Sequence, residues 1–316
     1  MPTDYVLFIH GVKTRKQDEF NSLATTLFNR IQASLTDVNL TLKPIILFWG
    51  DVGIEAQQEL LQGFQKSPTW SKFWFNKFRS EQILEFVGDA ALYLSRHVGS
   101  EVVRRLELQG LAQLKDVAKG DRLHLVTHSW GTVILFDILF AGRWEDPRLE
   151  EDIRNSVESI RNAMFGLGAD SQVGIPLASV STMGSPIALF NLVNQSKGSS
   201  HDLTPKLKEL LNALYDRRLQ PLPWRNFAHP GDPVAYPLEG VMPLLLDTAN
   251  DPNPLVQLQD VLVPSNTLKE RLLTPVQQQI MPLLFGGEAH GSYWKNPVVA
   301  QAIADMIQVA SQSNPG

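Results

Sequence analysis

Leu123-His124-Leu125-Val126-Thr127-His128-Ser129-Trp130-Gly131-Thr132-Val133-Ile134-Leu135-Phe136 decides the fold. Residues 123–126 read as a short buried strand, and residues 133–140 have the length and periodicity of a buried helix. Strand, tight turn and helix in that order form the unit from which the rest of the chain is read. Such a junction is also where a nucleophilic serine works. The sharp turn exposes the hydroxyl, and the amide of the next residue points from a helix N-terminus toward a developing oxyanion. Gly131 suits a position where helix and strand cross closely. Thr127 is bulkier than the glycine usual two residues before such a serine, which works against a tight turn. The plain alternative is a capping serine at an ordinary strand–helix junction.

Upstream, residues 5–9 form an apolar run ending at His10-Gly11, and residues 44–49 form a second, stopped by Gly50-Asp51. Between them Phe20, Leu23, Ala24, Leu27 and Ile31 fall at helical spacing, and Ile83, Val87, Ala90, Ala91, Leu94, Val98 and Val102 make one apolar stripe in a long helical region. Downstream, residues 178–183 end in Gly184-Ser185-Pro186, and residues 224–228 lead into His229-Pro230-Gly231-Asp232-Pro233. Short strands alternating with helices predict an α/β fold, a mostly parallel sheet with helices on both faces and sites at the carboxyl ends of the strands. The element order favours a single domain over residues 1–316. Three stretches, 52–80, 143–172 and 240–264, read as inserted lid or cap segments. Within the first, residues 68–79 stand apart, with Trp70, Phe73, Trp74, Phe75 and Phe78 among Lys72, Lys77 and Arg79.

A chain of 316 residues can bury roughly 75% of the surface its unfolded form exposes. Its 43% hydrophobic and 19% charged residues are a globular balance. There is no Cys, so disulfides, thiolate nucleophiles and Cys-ligated metals are excluded, and a covalent nucleophile must be oxygen or nitrogen. A net charge of −5 without a basic stripe argues against a nucleic-acid partner. Met1-Pro2-Thr3-Asp4 has an acid where a secretory signal carries basic residues. No apolar run reaches the ~18 to 20 residues of a membrane span. The expected location is cytoplasmic, with peripheral membrane contact through residues 68–79 kept open. His124 and His128 lie four apart, but on a strand and in a turn with no acidic partner, so no metal is expected. Gly166-Leu167-Gly168 lacks the third glycine and preceding strand of a dinucleotide fingerprint, so no cofactor is expected.

A serine hydroxyl is inert at neutral pH unless a base accepts its proton and a carboxylate orients that base. Asp232 sits in a strand-end loop, and His290 lies in the glycine-flanked Gly286-Gly287-Glu288-Ala289-His290-Gly291-Ser292 just before a C-terminal helix. Asp247, Asp251 and Asp260 are rivals for the acid, and His229 for the base.

The order Ser129, Asp232, His290 resembles the α/β-hydrolase superfamily over nearly the whole chain. That resemblance makes His10-Gly11-Val12 the oxyanion loop, with the backbone N–H groups of Val12 and Trp130 as donors and His10 shaping the loop. A narrower likeness is carried by Asp89-Ala90-Ala91-Leu92-Tyr93-Leu94-Ser95 and Gly131-Thr132-Val133-Ile134-Leu135-Phe136-Asp137-Ile138-Leu139, which are similar to intracellular DDHD-type phospholipases. Together these imply hydrolysis of a carboxylic ester, a small molecule or lipid with an apolar acyl chain, through an acyl-enzyme. His10, Gly11, His128, Trp70 and Trp74 are candidates for the substrate pocket. Trp70, Phe73, Trp74 and Phe78 fall on one face if residues 70–78 are helical, either packing on the core or forming a lid or membrane-surface helix. Two other readings stay beside the esterase: a catalytically silent scaffold binding a small molecule or protein, kept open by Thr127, and a peripheral membrane protein.

Overall fold

The computed structural model describes residues 2–37, 39–76, 79–80, 84–189, 199–248, 254–263 and 289–312. Six strands form one parallel sheet: β1 (Thr3–Ile9), β2 (Thr41–Leu47), β3 (Arg122–His128), β4 (Leu177–Met183), β5 (Leu222–Ala228) and β6 (Val256–Leu262), in the order β2-β1-β3-β4-β5-β6. Helices cover both faces, which is the α/β-hydrolase-like arrangement. Strands β3 and β4 are buried at every position, as strands covered on both faces must be.

Alternation along the strands sends side chains to two cores. Tyr5, Leu7 and Ile9 of β1 join one face, where α5 (Trp130–Phe140) packs beside α6 (Glu151–Asn162) and α7 (Thr204–Arg218). Val6 and Phe8 join the other, against α1 (Gln17–Ser34) and α9 (Pro297–Gln312). Helix α5 is buried from Gly131 to Phe140 because it is apolar all round. Its single acid, Asp137, is neutralised in place: Arg143 donates to it at 2.9 Å, Tyr93 at 2.6 Å and Trp144 at 3.1 Å.

Three sequence expectations change. The stretch 240–264 supplies the short α8 (Met242–Leu245) and then β6, which pairs with β5 from Leu222 to Ala228, so Val256–Leu262 belong to the sheet. Its half-exposed alternating pattern is that of an edge strand, which lacks the apolar run that marks the inner ones. Residues 143–172 carry α6, whose Ile153 and Val157 enter the core against α4 (Arg96–Leu114), so this stretch is a crossover layer. The single apolar stripe breaks at Ser95: α3 (Leu84–Leu94) ends there, and the Ser95 hydroxyl caps α4 by accepting from the Val98 N–H. Val102 of that stripe is fully buried, Val87 and Leu94 are exposed, and Ile83 lies outside the described residues.

Candidate active site

Four strands end at one place. β1 runs into His10-Gly11-Val12, β3 into Ser129, β4 into Gly184 and β5 into the loop bearing Asp232. Ser129 is the N-cap of α5, with φ 54° and ψ −133°. That left-handed φ is an outlier for a residue with a side chain and is held by its surroundings. The Ser129 N–H donates to the Met183 carbonyl at 2.9 Å. Gly131 and Gly11 make the crowding tolerable: a Cβ on Gly131 would stand 2.2 Å from the His10 carbonyl oxygen, and one on Gly11 2.4 Å from the Ser129 Cβ. The bulk of Thr127 does not prevent the turn. Its hydroxyl lies 2.8 Å from that of Thr132, tying the last turn of the strand to the first of the helix.

The structure brings Ser129, His290 and Asp232 into one continuous hydrogen-bonded chain. Ser129 Oγ lies 2.7 Å from His290 Nε2, and His290 Nδ1 lies 2.9 Å from Asp232 Oδ2. A carboxylate only accepts, so Nδ1 carries the proton and Nε2 accepts from the serine hydroxyl. Burial pushes the Asp232 carboxyl up, but hydrogen bonds from His290 and Tyr293 and the nearby imidazole outweigh it and hold the group below the usual carboxylate range. The Val234 N–H adds a bond to Oδ1 at 2.9 Å.

Tyr293 was missed in the sequence. Its buried hydroxyl donates to Asp232 Oδ2 at 2.7 Å and accepts from the His229 N–H at 2.8 Å. It lies three residues after His290, in the turn Ser292–Lys295 that opens onto α9. Burial and the Asp232 charge raise its pKa, so it stays a donor. Gly184 was also missed. With φ 55°, it faces Asp232, Tyr293 and His290 together.

His10 shapes the loop after β1. Its Nδ1–H donates to the Gly11 carbonyl at 2.6 Å, its Nε2 accepts from the Trp49 N–H at 3.1 Å, and its ring stacks on Trp49. Acceptance from the Trp49 N–H at Nε2 requires a neutral ring, and burial, outweighing the bond to the Gly11 carbonyl, lowers its pKa to about 3. His128 donates from Nε2 to the His290 carbonyl at 2.7 Å, fixing the loop that carries His290; burial lowers its pKa to about 3 as well. His124 is at the other end of β3, between Ser179 and Asp4. Of the rivals, His229 accepts from the Gly231 N–H, and Asp260 accepts from Asn226 and from the Leu238 and Glu239 N–H groups. Asp247 sits at a left-handed turn whose carbonyl takes Lys208 Nζ, and Asp251 lies outside the described residues.

The loop after Gly11 is braced by a second cluster. Asp89 of α3 accepts from the Lys13 N–H and from Arg15, both at 2.9 Å, and from Gln57 of α2 (Ile54–Lys66); Arg15 also donates to Gln57 at 2.8 Å. Trp70 and Trp74 lie apart from the Ser129–His290–Asp232 chain. Residues 70–75 are no helix face: Trp70–Lys72 is a single 3₁₀ turn, Phe73 is extended and Phe75 has φ 60°. Pro68 cuts off α2, and Phe64, Trp70 and Phe73 collapse onto one another, with Phe64 and Trp70 stacked 5.6 Å apart. Phe78 and Lys77 lie outside the described residues.

No described helix is long and apolar enough to cross a membrane. No protein-family model matches the chain. It is 25% identical to human phospholipase DDHD1 over an alignment of 204 positions. That alignment covers 51% of this chain and 20% of the phospholipase, so the likeness to a lipid-hydrolysing enzyme is distant and spans about a fifth of the relative's length.

Proposed function

We propose that the protein is a serine hydrolase that cleaves carboxylic esters of acyl-lipid type, with Ser129 as nucleophile, His290 as general base and acid, and Asp232 as the group that orients it. The observation that carries this reading is the unbroken Ser129–His290–Asp232 relay, with the serine held at a left-handed φ ahead of a helix. Ser129 Oγ attacks the ester carbonyl while its proton passes to His290 Nε2, and Asp232 stabilises the resulting imidazolium. The oxyanion sits between the N–H groups of Val12 and Trp130. Trp130 is the first residue of α5, where N–H groups lack intrahelical acceptors and the helix dipole favours negative charge. His290 then protonates the departing alkoxide, and water releases the acyl group by the reverse sequence. The lipid side of the reading is supported by the likeness to a phospholipase.

The test is labelling with a fluorophosphonate probe followed by intact-mass and peptide mapping. One adduct on Ser129, absent from Ser129→Ala and from heat-denatured protein, is expected. Folded protein that stays unlabelled by a small probe would make the chain a binding scaffold instead. Asp232→Asn and His290→Ala should each lower ester turnover by ~10³-fold or more while leaving the circular dichroism spectrum intact.

A further inference from the structure

From Leu60 to Ser80 the chain carries four cations, Lys66, Lys72, Lys77 and Arg79, and no acid, although acids outnumber cations 33 to 28 over the whole sequence. The same stretch holds every exposed Phe and Trp among the described residues: Phe64, Phe73, Trp74 and Phe75, with Trp74 80% and Phe75 73% exposed. Phe75 keeps its left-handed φ although a bulky side chain disfavours it. Arg79 sits 5.4 Å over the Phe73 ring and donates to the Trp74 carbonyl at 3.2 Å, so cation and aromatics form one built unit. Behind it an apolar groove of about 560 Å³ opens between α2 and α3, lined by Leu60, Phe64, Trp70, Phe73, Leu84 and Val87.

We infer that this unit docks on the surface of an anionic lipid bilayer, with Trp74 and Phe75 entering the headgroup boundary and Lys66, Lys72 and Arg79 meeting the acidic headgroups. Rings that are amphipathic or apolar gain by entering that boundary, and each cation beside an anionic surface adds about fivefold to the partition coefficient. A partner with acidic groups alone accounts for the cations and leaves Trp74 and Phe75 in water. A purely apolar partner leaves the absence of acids over this stretch without a reason. The patch lies on the connection between α2 and α3, the two helices that carry Gln57 and Asp89 and through them brace residues 13–15, so the docked face is linked to the loop leading away from Gly11. Docking requires no catalysis and stands or falls apart from the esterase reading.

The experiment is co-sedimentation of the full chain with vesicles of phosphatidylcholine alone and of phosphatidylcholine with 30% phosphatidylserine, at ~50 and ~500 mM salt. Pelleting is expected with the anionic vesicles at low salt, falling at high salt. The double variant Trp74→Ala, Phe75→Ala should bind about tenfold more weakly or worse. Lys66→Gln with Lys72→Gln, which leaves the rings in place, should lose the preference for anionic over neutral vesicles. Circular dichroism checks that each variant is folded. Equal pelleting of wild type and the aromatic variant overturns the proposal, as does failure of wild type to pellet. A wild-type dimer without lipid that the aromatic variant abolishes would assign the face to a second copy of the chain and overturn it too.

Discussion

Replacing Gly184 with alanine places one methyl group in the middle of the proposed acid–base pair. A Cβ at this position would stand 2.7 Å from Asp232 Oδ2, 2.8 Å from Tyr293 Cε2 and 3.1 Å from His290 Nδ1. Comfortable carbon contacts begin near ~3.5 Å, so relief takes about 0.5–1 Å of movement. The glycine cannot retreat, because its N–H is bonded to the Phe227 carbonyl at 3.0 Å and its φ is 55°. The carboxylate, the imidazole and the phenol must therefore part, and the 2.9 Å contact between His290 and Asp232 lengthens. A misplacement of about 1 Å in a catalytic constellation costs roughly 100-fold, or ~2.7 kcal/mol of transition-state stabilisation. The left-handed φ adds roughly 1 kcal/mol of fold destabilisation, a few degrees in Tm at most. The assay pairs kcat/KM on p-nitrophenyl butyrate with the fluorophosphonate labelling rate of Ser129, both expected to fall together. Gly63→Ala is the control, because that glycine lies exposed inside α2 with nothing within 4 Å of an added Cβ; it should gain about 0.5–1 kcal/mol of stability and keep full activity. A folded Gly184→Ala protein with kcat/KM within twofold of wild type would refute the assignment of Asp232 and His290 as the working pair.

Tyr293→Phe removes a buried hydroxyl that donates to a carboxylate and accepts from the His229 N–H, so denaturant unfolding at pH 7 should show a loss of about 2–3 kcal/mol. Asp232 is held below its ordinary pKa, so its contribution is present above the unfolded value and is lost as pH falls through the folded one. The gap between Tyr293→Phe and wild type should therefore be largest at neutral pH and shrink below about pH 4; a gap that does not change with pH would count against the carboxylate as its origin. His10, buried with its pKa lowered to about 3, is protonated in the unfolded chain below 6.5 but not in the folded one. Stability should thus fall as pH drops from 6.5 toward 3, at up to ~1.4 kcal/mol per pH unit from this residue, and His10→Gln should flatten that slope in urea titrations. Asp89→Asn withdraws charge from the brace on Lys13 and Arg15; a fall in kcat with KM nearly unchanged is expected if the loop proposed to stabilise the oxyanion is what moves, and an equal rise in KM would say otherwise.

The parts of the fold that were legible in the sequence are those where one local rule decides. Short apolar runs marked β1, β2 and β3, and the Gly- or Pro-bearing turns after residues 183 and 228 marked the ends of β4 and β5. The Ser129 turn was legible because a serine, a following glycine and a buried helix leave few other arrangements. Strand β6 was not, since Val256–Leu262 interleaves Gln257, Gln259 and Asp260 and reads like a polar loop until an inner strand offers it a partner. Neither was the role of Tyr293: a tyrosine beside a tryptophan before a helix reads as core, and only the arrival of Asp232 from a loop 61 residues away gives its hydroxyl a use. Gly184 could have been suspected, since it follows a strand as Gly11 follows one, but nothing local indicates what its missing Cβ makes room for. The aromatic stretch departs from its helical spacing for a related reason: contacts of the Trp70 ring with Phe64 and Phe73 accompany a single turn at Trp70–Lys72 where the spacing alone predicts a continuous helix.

The strand order explains why these separate pieces meet. From β1 the chain moves outward to β2, then returns across β1 to lay down β3, so the helices that follow β1 and β3 are sent to opposite faces: α1 packs with α9, and α5 packs with α6 and α7. The chain therefore leaves β1 and β3 in different directions at the carboxyl ends of the two strands, the position where parallel sheets bind ligands. Gly11 and Ser129 face each other there, so closely that a Cβ on Gly11 would stand 2.4 Å from the Ser129 Cβ. The crossover from β2 back to β3 has to pass over the same sheet, and α2 and α3 lie on that path. This is how Gln57 and Asp89, remote from Ser129 in sequence, come to hold residues 13–15. The aromatic and basic segment carried by this crossover lies between Gln57 and Asp89 in the chain, so a surface that binds Trp74 and Phe75 acts on a stretch whose two flanking helices are bonded to residues 13–15, next to Gly11.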